Sequence, residues 1–216
     1  MNFYIATLLI IFMDKKSYFI KIFKLAERKY GKSSYRLAGE GWKEHWQTLI
    51  ATIMSAQSRD ETTIPIAEEL FRKYDRLEDL ARAKYMDVLA IFRSLNYNRT
   101  KARNVIDAAK FIMSEFNGDV PDRIDELVKI PGAGRKTANL VITECHNIDG
   151  ICVDTHVHRI ANVFGFVKTK NPTETELELM KISPRRFWSK INRIFVLWGK
   201  EVRGRDKKKF LSNLKN

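Results

Sequence analysis

The chain has 216 residues, 44% hydrophobic and 30% charged, enough to bury a core as one large domain or two small ones, and a disordered tail protein is excluded. Thirty-nine Lys and Arg against 26 Asp and Glu leave a net charge of +13, which points to a polyanion such as nucleic acid or an anionic membrane, with a solvated basic surface as the plainer reading. Cys145 and Cys152 lie outside any short paired spacing, which argues against a C-x-x-C metal or redox site and for a reduced, intracellular setting.

Residues 1–12 are almost wholly apolar, yet too few to span a bilayer and without the basic start of a signal peptide. They read as a turn or two of packed helix, or as residues upstream of a true start at Met13. Over 14–30, Tyr18, Phe19, Ile22, Phe23 and Leu25 recur at helical spacing, and Gly31 supplies a stop. Residues 46–56 are nearly all apolar and predict a buried helix, while 61–74 is amphipathic again. Short helical runs follow at 77–80 and 86–91, then a long one over 99–116 closed by Asn117 and Gly118. Asp122 behind Pro121 is placed to cap a helix over 123–130, Thr173 and Glu176 have capping-box spacing, and Ser183 with Pro184 opens a helix running to about Trp198. No alternating strand pattern or repeat occurs, so the predicted fold class is all-α with short connections. The stretch 185–216 holds eleven Lys and Arg against Glu201 and Asp206, and reads as a segment lying along DNA or as a frayed polar end.

The strongest local signal is Leu127-Val-Lys-Ile-Pro-Gly-Ala-Gly-Arg-Lys-Thr-Ala-Asn-Leu-Val-Ile142, a helix, a Pro-Gly-x-Gly hairpin and a second helix. Pro131 ends the first helix, Gly132 and Gly134 permit tight backbone around Ala133, and the amides opening the second helix at Arg135 can face a phosphate. A plain helical hairpin and a non-catalytic DNA anchor are the alternatives. Lys136 follows directly, and Asp154 comes 18 residues later in Val153-Asp-Thr-His-Val-His-Arg159.

Together with Met54-Ser-Ala-Gln-Ser-Arg-Asp60, these segments resemble the endonuclease III branch of the helix-hairpin-helix DNA glycosylases over about residues 40–200. The resemblance implies that Lys136 is the nucleophile and Asp154 the second catalytic residue. Attack by an amine on the anomeric carbon expels the base and leaves a Schiff base, from which β-elimination nicks the strand. The amine must be neutral, a condition favoured by Arg135, the helix dipole and partial desolvation. Asp154 would stabilise positive charge on the sugar and help proton transfers. The plainer readings are a DNA-facing surface lysine at Lys136 and a helix N-cap at Asp154.

A stacked base must be extruded before it is cut, and something must fill the hole. By resemblance Gln57 is the filler, and Tyr97, in Leu95-Asn-Tyr-Asn-Arg-Thr-Lys-Ala102, stands in a loop that supplies a second wedge. Asn96 replaces a glycine usual in that loop, and Tyr97 an aliphatic residue. His156 and His158 form a pair without a third clustered ligand, so no metal site is expected. Trp42, Trp46, Trp188 and Trp198 read as core. Many relatives hold an iron-sulfur cluster on four C-terminal cysteines, but no cysteine follows Cys152, so no iron-sulfur cluster and no soluble cofactor is expected, and Lys207, Lys208 and Lys209 stand to replace its phosphate contacts.

The implied architecture is two helical domains, one contiguous over 38–148 and one assembled from 1–37 plus 149–216, with the active site in the cleft between them. The implied activity is a base-excision glycosylase with abasic-site lyase activity, removing oxidised or deaminated bases, chiefly pyrimidines, from duplex DNA. The alternatives are a monofunctional uracil or T·G mismatch glycosylase, and a helix-hairpin-helix module that only binds DNA. The expected partner is double-stranded DNA with a damaged base or abasic site, met by a monomer in the cytoplasm, with no membrane involved.

Overall fold

The apolar runs at helical spacing become helices, and the computed structural model, which describes residues 14–215, contains no strand among them. The reading of residues 1–12 lies outside the described residues. Tyr35–Gly150 form one compact unit, and the described residues before Tyr35 with those from Ile151 onward form the other.

Helix α1 (Lys15–Tyr30) opens behind Asp14, whose carboxylate accepts the amides of Lys16 and Ser17 at 2.9 and 3.0 Å. The contiguous unit then runs through α2 (His45–Ser55), α3 (Asp60–Lys73), α4 (Leu77–Ala81), α5 (Tyr85–Ile91), α6 (Asn98–Phe116), α7 (Ile124–Leu127) and α8 (Arg135–Cys145). Helix α2 is apolar nearly all round because it sits in the middle, packed against α3, α6 and α8. Leu49, Ile50, Ala51 and Met54 are fully buried there, the three larger side chains each worth roughly 1.5–3 kcal/mol of transfer free energy. Helix α6 ends as expected, with Asn117 left-handed at φ 52° and the Gly118 amide returning to the Ile112 carbonyl at 3.1 Å.

Asp122 does not cap α7. The helix starts at Ile124 behind Arg123 with no side-chain cap, and Arg123 instead pairs with Asp125 at 3.1 Å. The helix also stops at Leu127 rather than reaching residue 130. From there the chain continues in turns closed by Ile130 N–H to Leu127 O at 3.1 Å and Ala133 N–H to Ile130 O at 3.0 Å. A three-residue spacing brings Leu127, Ile130 and Ala133 all into the core, which a continuing α-helix of period 3.6 does less well.

The second unit adds α9 (Thr155–Val163), α10 (Pro172–Ile182), α11 (Trp188–Glu201) and α12 (Lys207–Asn213) to α1. The capping box expected at Thr173 does not form, and the helix opens two residues earlier: Asn171 Oδ1 caps it by accepting the Glu174 amide at 2.9 Å, and Pro172 already occupies the first helical turn. After Pro184 a 3₁₀ turn, Arg185–Phe187, precedes α11, which extends past Trp198 to Glu201. Trp198 and Trp46 are buried, whereas Trp42 and Trp188 are only partly so. The segment Lys207–Asn213 is helical rather than frayed. Asp206 caps α12 through the Lys208 amide at 2.8 Å, and Phe210, fully buried, meets the Trp198 ring edge-on at a centroid distance of 5.1 Å.

Candidate catalytic and DNA-contacting residues

Gly132 and Gly134 do different work in the hairpin. Gly132 has φ +80°, and a Cβ there would come within 2.9 Å of Asn104 and 3.0 Å of Ile53, so both backbone and space demand glycine. Gly134, the N-cap of α8, has φ −91°, and a Cβ would meet nothing within 4 Å. Tight backbone geometry is therefore not why glycine stands at Gly134; the space beside it is open. Ala133 between them is buried, and Arg135 and Lys136, the first two residues of α8, are exposed.

Because Gly132 rests on Ile53 of α2 and Asn104 of α6, the hairpin shares one end of the unit with the segments leaving α2 and entering α6. Those segments carry Gln57 and Tyr97. Ile53 is one helical turn before Gln57, and Asn104 lies about 10 Å along α6 from Tyr97 at 1.5 Å per residue. Gln57 (φ 54°) and Tyr97 (φ 56°) both hold left-handed backbone without being glycine, and both are exposed, Tyr97 by 65%.

Two hydrogen bonds join the segments. Asn96 Nδ2 donates to the Gln57 carbonyl at 2.7 Å, and Lys101 Nζ donates to Ser58 Oγ at 2.8 Å. Lys101 is only 4% exposed, and burial pulls its ammonium down to about 8 from an ordinary 10.5. Its importance escaped the sequence reading, although a signal existed. Lys101 falls on the stripe of α6 that also carries Val105, Ala108 and Ile112, all buried, so a charged residue stood on an apolar face.

Asp154, in the other unit, is the N-cap of α9. Its Oδ1 accepts the amides of His156 and Val157, both at 2.9 Å, and among the described residues no hydrogen bond reaches Oδ2. The cap thus fixes the carboxylate while leaving one oxygen for other work. His158 Nδ1 lies 2.7 Å from Thr175 Oγ1, and His156 Nδ1 lies 3.2 Å from Arg159. Arg159 also donates to the carbonyls of Gly199 at 2.7 Å and Gly204 at 3.0 Å, binding the segment between α11 and α12 to α9. Burial lowers the Arg159 guanidinium from its usual value, Asp154 acts in the opposite direction, and Arg205 adds to the lowering. No group of three or more His, Cys, Asp or Glu side chains among the described residues is placed to hold a metal. The region after Cys152 has no thiol donor at all, so its residues do not fit a cysteine-held cluster.

The fold and these groups define a helix-hairpin-helix protein with a lysine beside the hairpin. The family model of the HhH-GPD superfamily base excision DNA repair proteins matches residues 50–185. Endonuclease III of Thermotoga maritima is 38% identical over 73% of this chain and 74% of its own length, and that of Synechocystis sp. is 36% identical over 72% of each. The solved structure of an endonuclease III trapped as a covalent intermediate with DNA superposes with a TM-score of 0.80, at 30% identity over 88% of this chain and 87% of that one. The chain belongs to the HhH-GPD superfamily of base excision DNA repair proteins and is endonuclease III-like within it. No described helix is long and apolar enough to cross a membrane.

Proposed function

We propose that this chain excises damaged pyrimidines from duplex DNA as a glycosylase with abasic-site lyase activity, with Lys136 as nucleophile and Asp154 as the second catalytic residue. The observation that carries the reading is the position of Lys136, exposed in the first turn of α8, directly beyond a hairpin whose Gly134 leaves open space. That space admits a phosphate oxygen to the amides of a helix N-terminus. The basic excess of the chain supplies affinity for the backbone on which it acts.

In the reaction, the neutral Lys136 amine gives its lone pair to the sugar C1′, and the C1′–N bond breaks toward the departing base, which takes up a proton. The resulting ammonium loses a proton, and the C1′–O4′ bond breaks with its oxygen taking up a proton, leaving a protonated imine between C1′ and Lys136. Removal of a C2′ proton then expels the 3′ phosphate by β-elimination, and water hydrolyses the imine to regenerate the lysine. Asp154, with Oδ1 held by the cap, offers negative charge to the cationic sugar. By the same resemblance Gln57 and Tyr97 enter the duplex at the lesion. The chain works as a monomer within the cell, on duplex DNA carrying a damaged base or an abasic site, without an iron-sulfur cluster.

The test is incubation with end-labelled duplexes carrying single thymine glycol, uracil, T·G, 8-oxoguanine or abasic sites, resolved with and without hot alkali. Strand cleavage at an oxidised pyrimidine without alkali is the expected result. Cleavage only after alkali assigns a monofunctional glycosylase, and binding without cleavage assigns a DNA-binding module.

A further inference from the structure

We infer that Asn96 and Lys101 are positioning residues that lock the Gln57 and Tyr97 segments into one two-pronged element for entering DNA. This rests on the reading above, that Gln57 and Tyr97 meet the duplex at the lesion.

A polar side chain that enters a base stack must arrive in a fixed pose, because any freedom it retains is lost on insertion and weakens the gain. Gln57 and Tyr97 are exposed and stand on left-handed backbone that non-glycine residues adopt at a cost of about 1 kcal/mol or more. Such conformations persist where the surroundings over-determine them. Here the surroundings are named. Asn96, adjacent to Tyr97, holds the carbonyl of Gln57 itself, and Lys101, whose own amide bonds the Tyr97 carbonyl at 3.0 Å, holds the next residue, Ser58. Each strained residue is thus pinned to the segment that carries the other.

Lys101 also resists a purely structural account. A lysine on a stripe with Val105, Ala108 and Ile112 would stabilise the fold more as an apolar side chain of similar length, since no described carboxylate pairs with it and burial disfavours its charge. Residues that lower stability in this way are the ones expected at functional elements. Asn96 has the same character. Its side chain spans to Gln57 in a way that glycine, lacking any side chain, cannot, so Asn96 adds a second tie beside that of Lys101.

The experiment uses Asn96→Gly, Lys101→Met and Ser58→Ala in the full chain. Base extrusion is followed by stopped-flow fluorescence of 2-aminopurine placed opposite the lesion. Strand cleavage is measured in parallel on a single-stranded abasic oligonucleotide, which has no stack to open. Each variant is expected to slow the duplex fluorescence change about tenfold, as for misplaced groups in general, while the single-stranded reaction keeps its rate. In a Gln57→Ala background the same substitutions are expected to add little further loss. Duplex extrusion at the wild-type rate, or an equal loss on the single strand, overturns the inference. A wild-type chain that cleaves neither substrate overturns the proposed function instead, so the two failures are distinguishable.

Discussion

Lys101 Nζ donates to Ser58 Oγ across 2.8 Å from a position 4% exposed, with no described carboxylate to balance it. The folded group titrates near 8, below its unfolded value of 10.5. Below pH 8 both states carry the charge and the folded state bears the full burial penalty. As pH rises from 8 toward 10.5 the folded state loses its proton first, and the penalty fades. Lys101→Met is therefore expected to raise stability at pH 7, on the order of 2 kcal/mol, with the advantage over wild type shrinking through this window. Urea titrations at pH 7 and pH 10 check it; an advantage that is constant or grows with pH contradicts the account.

The two hairpin glycines are expected to separate when replaced. Gly132→Ala forces a side chain onto φ +80° and against Asn104 and Ile53, and should lower stability by about 1–3 kcal/mol. Gly134→Ala meets open space at φ −91° and should stay within about 1 kcal/mol of wild type while weakening DNA binding. Thermal unfolding beside DNA titrations resolves the pair, and equal stability losses at both glycines would refute the distinction.

Asp154 combines a cap with a carboxylate, so two substitutions should part company. Asparagine retains an acceptor for the His156 and Val157 amides and should leave stability nearly unchanged while removing the charge needed in the reaction. Alanine removes both and should cost about 1 kcal/mol besides. The measurement is denaturant stability alongside single-turnover excision. Excision by the asparagine variant at the wild-type rate would leave Asp154 a cap alone.

The three C-terminal lysines are not equivalent. The Lys207 ammonium sits 5.0 Å from the Tyr18 ring centroid and 5.7 Å from that of Phe164, whereas Lys208 and Lys209 are exposed. Replacing Lys208 and Lys209 together by Glu is expected to weaken duplex binding and flatten its salt dependence by about two counterions, without lowering stability. Lys207→Glu should instead destabilise the fold. Binding isotherms over a salt series check this, and an unchanged slope removes the segment from the DNA-contacting surface.

Much of this was legible in the sequence, for identifiable reasons. The buried helix α2, the glycine stop after α6 and the hairpin glycine Gly132 were read from patterns local to a few residues, where backbone propensity decides. Helix α12 was not, because a seven-residue helix with three lysines has a single buried apolar anchor, Phe210, whose aromatic partners, Phe164 and Trp198, lie outside the helix. The start of α10 was misread because Pro172 and Asn171 outcompete Thr173 as an opening. The ties of Asn96 to Gln57 and Lys101 to Ser58 bridge 39 and 43 residues, and only the packing of α6 against α2 creates them. The departure from glycine at Asn96 was visible; its partner was not.

The central claim, that Lys136 attacks the sugar, is tested most directly by borohydride trapping on a duplex with one damaged pyrimidine. Reduction converts the imine at C1′ into a stable amine, so protein and strand migrate as one covalent species. Wild type is expected to give that species, with peptide mapping placing the adduct on Lys136, and Lys136→Ala to give none while still binding the duplex. A covalent species of equal yield from Lys136→Ala, or an adduct mapped to another residue, would contradict the account.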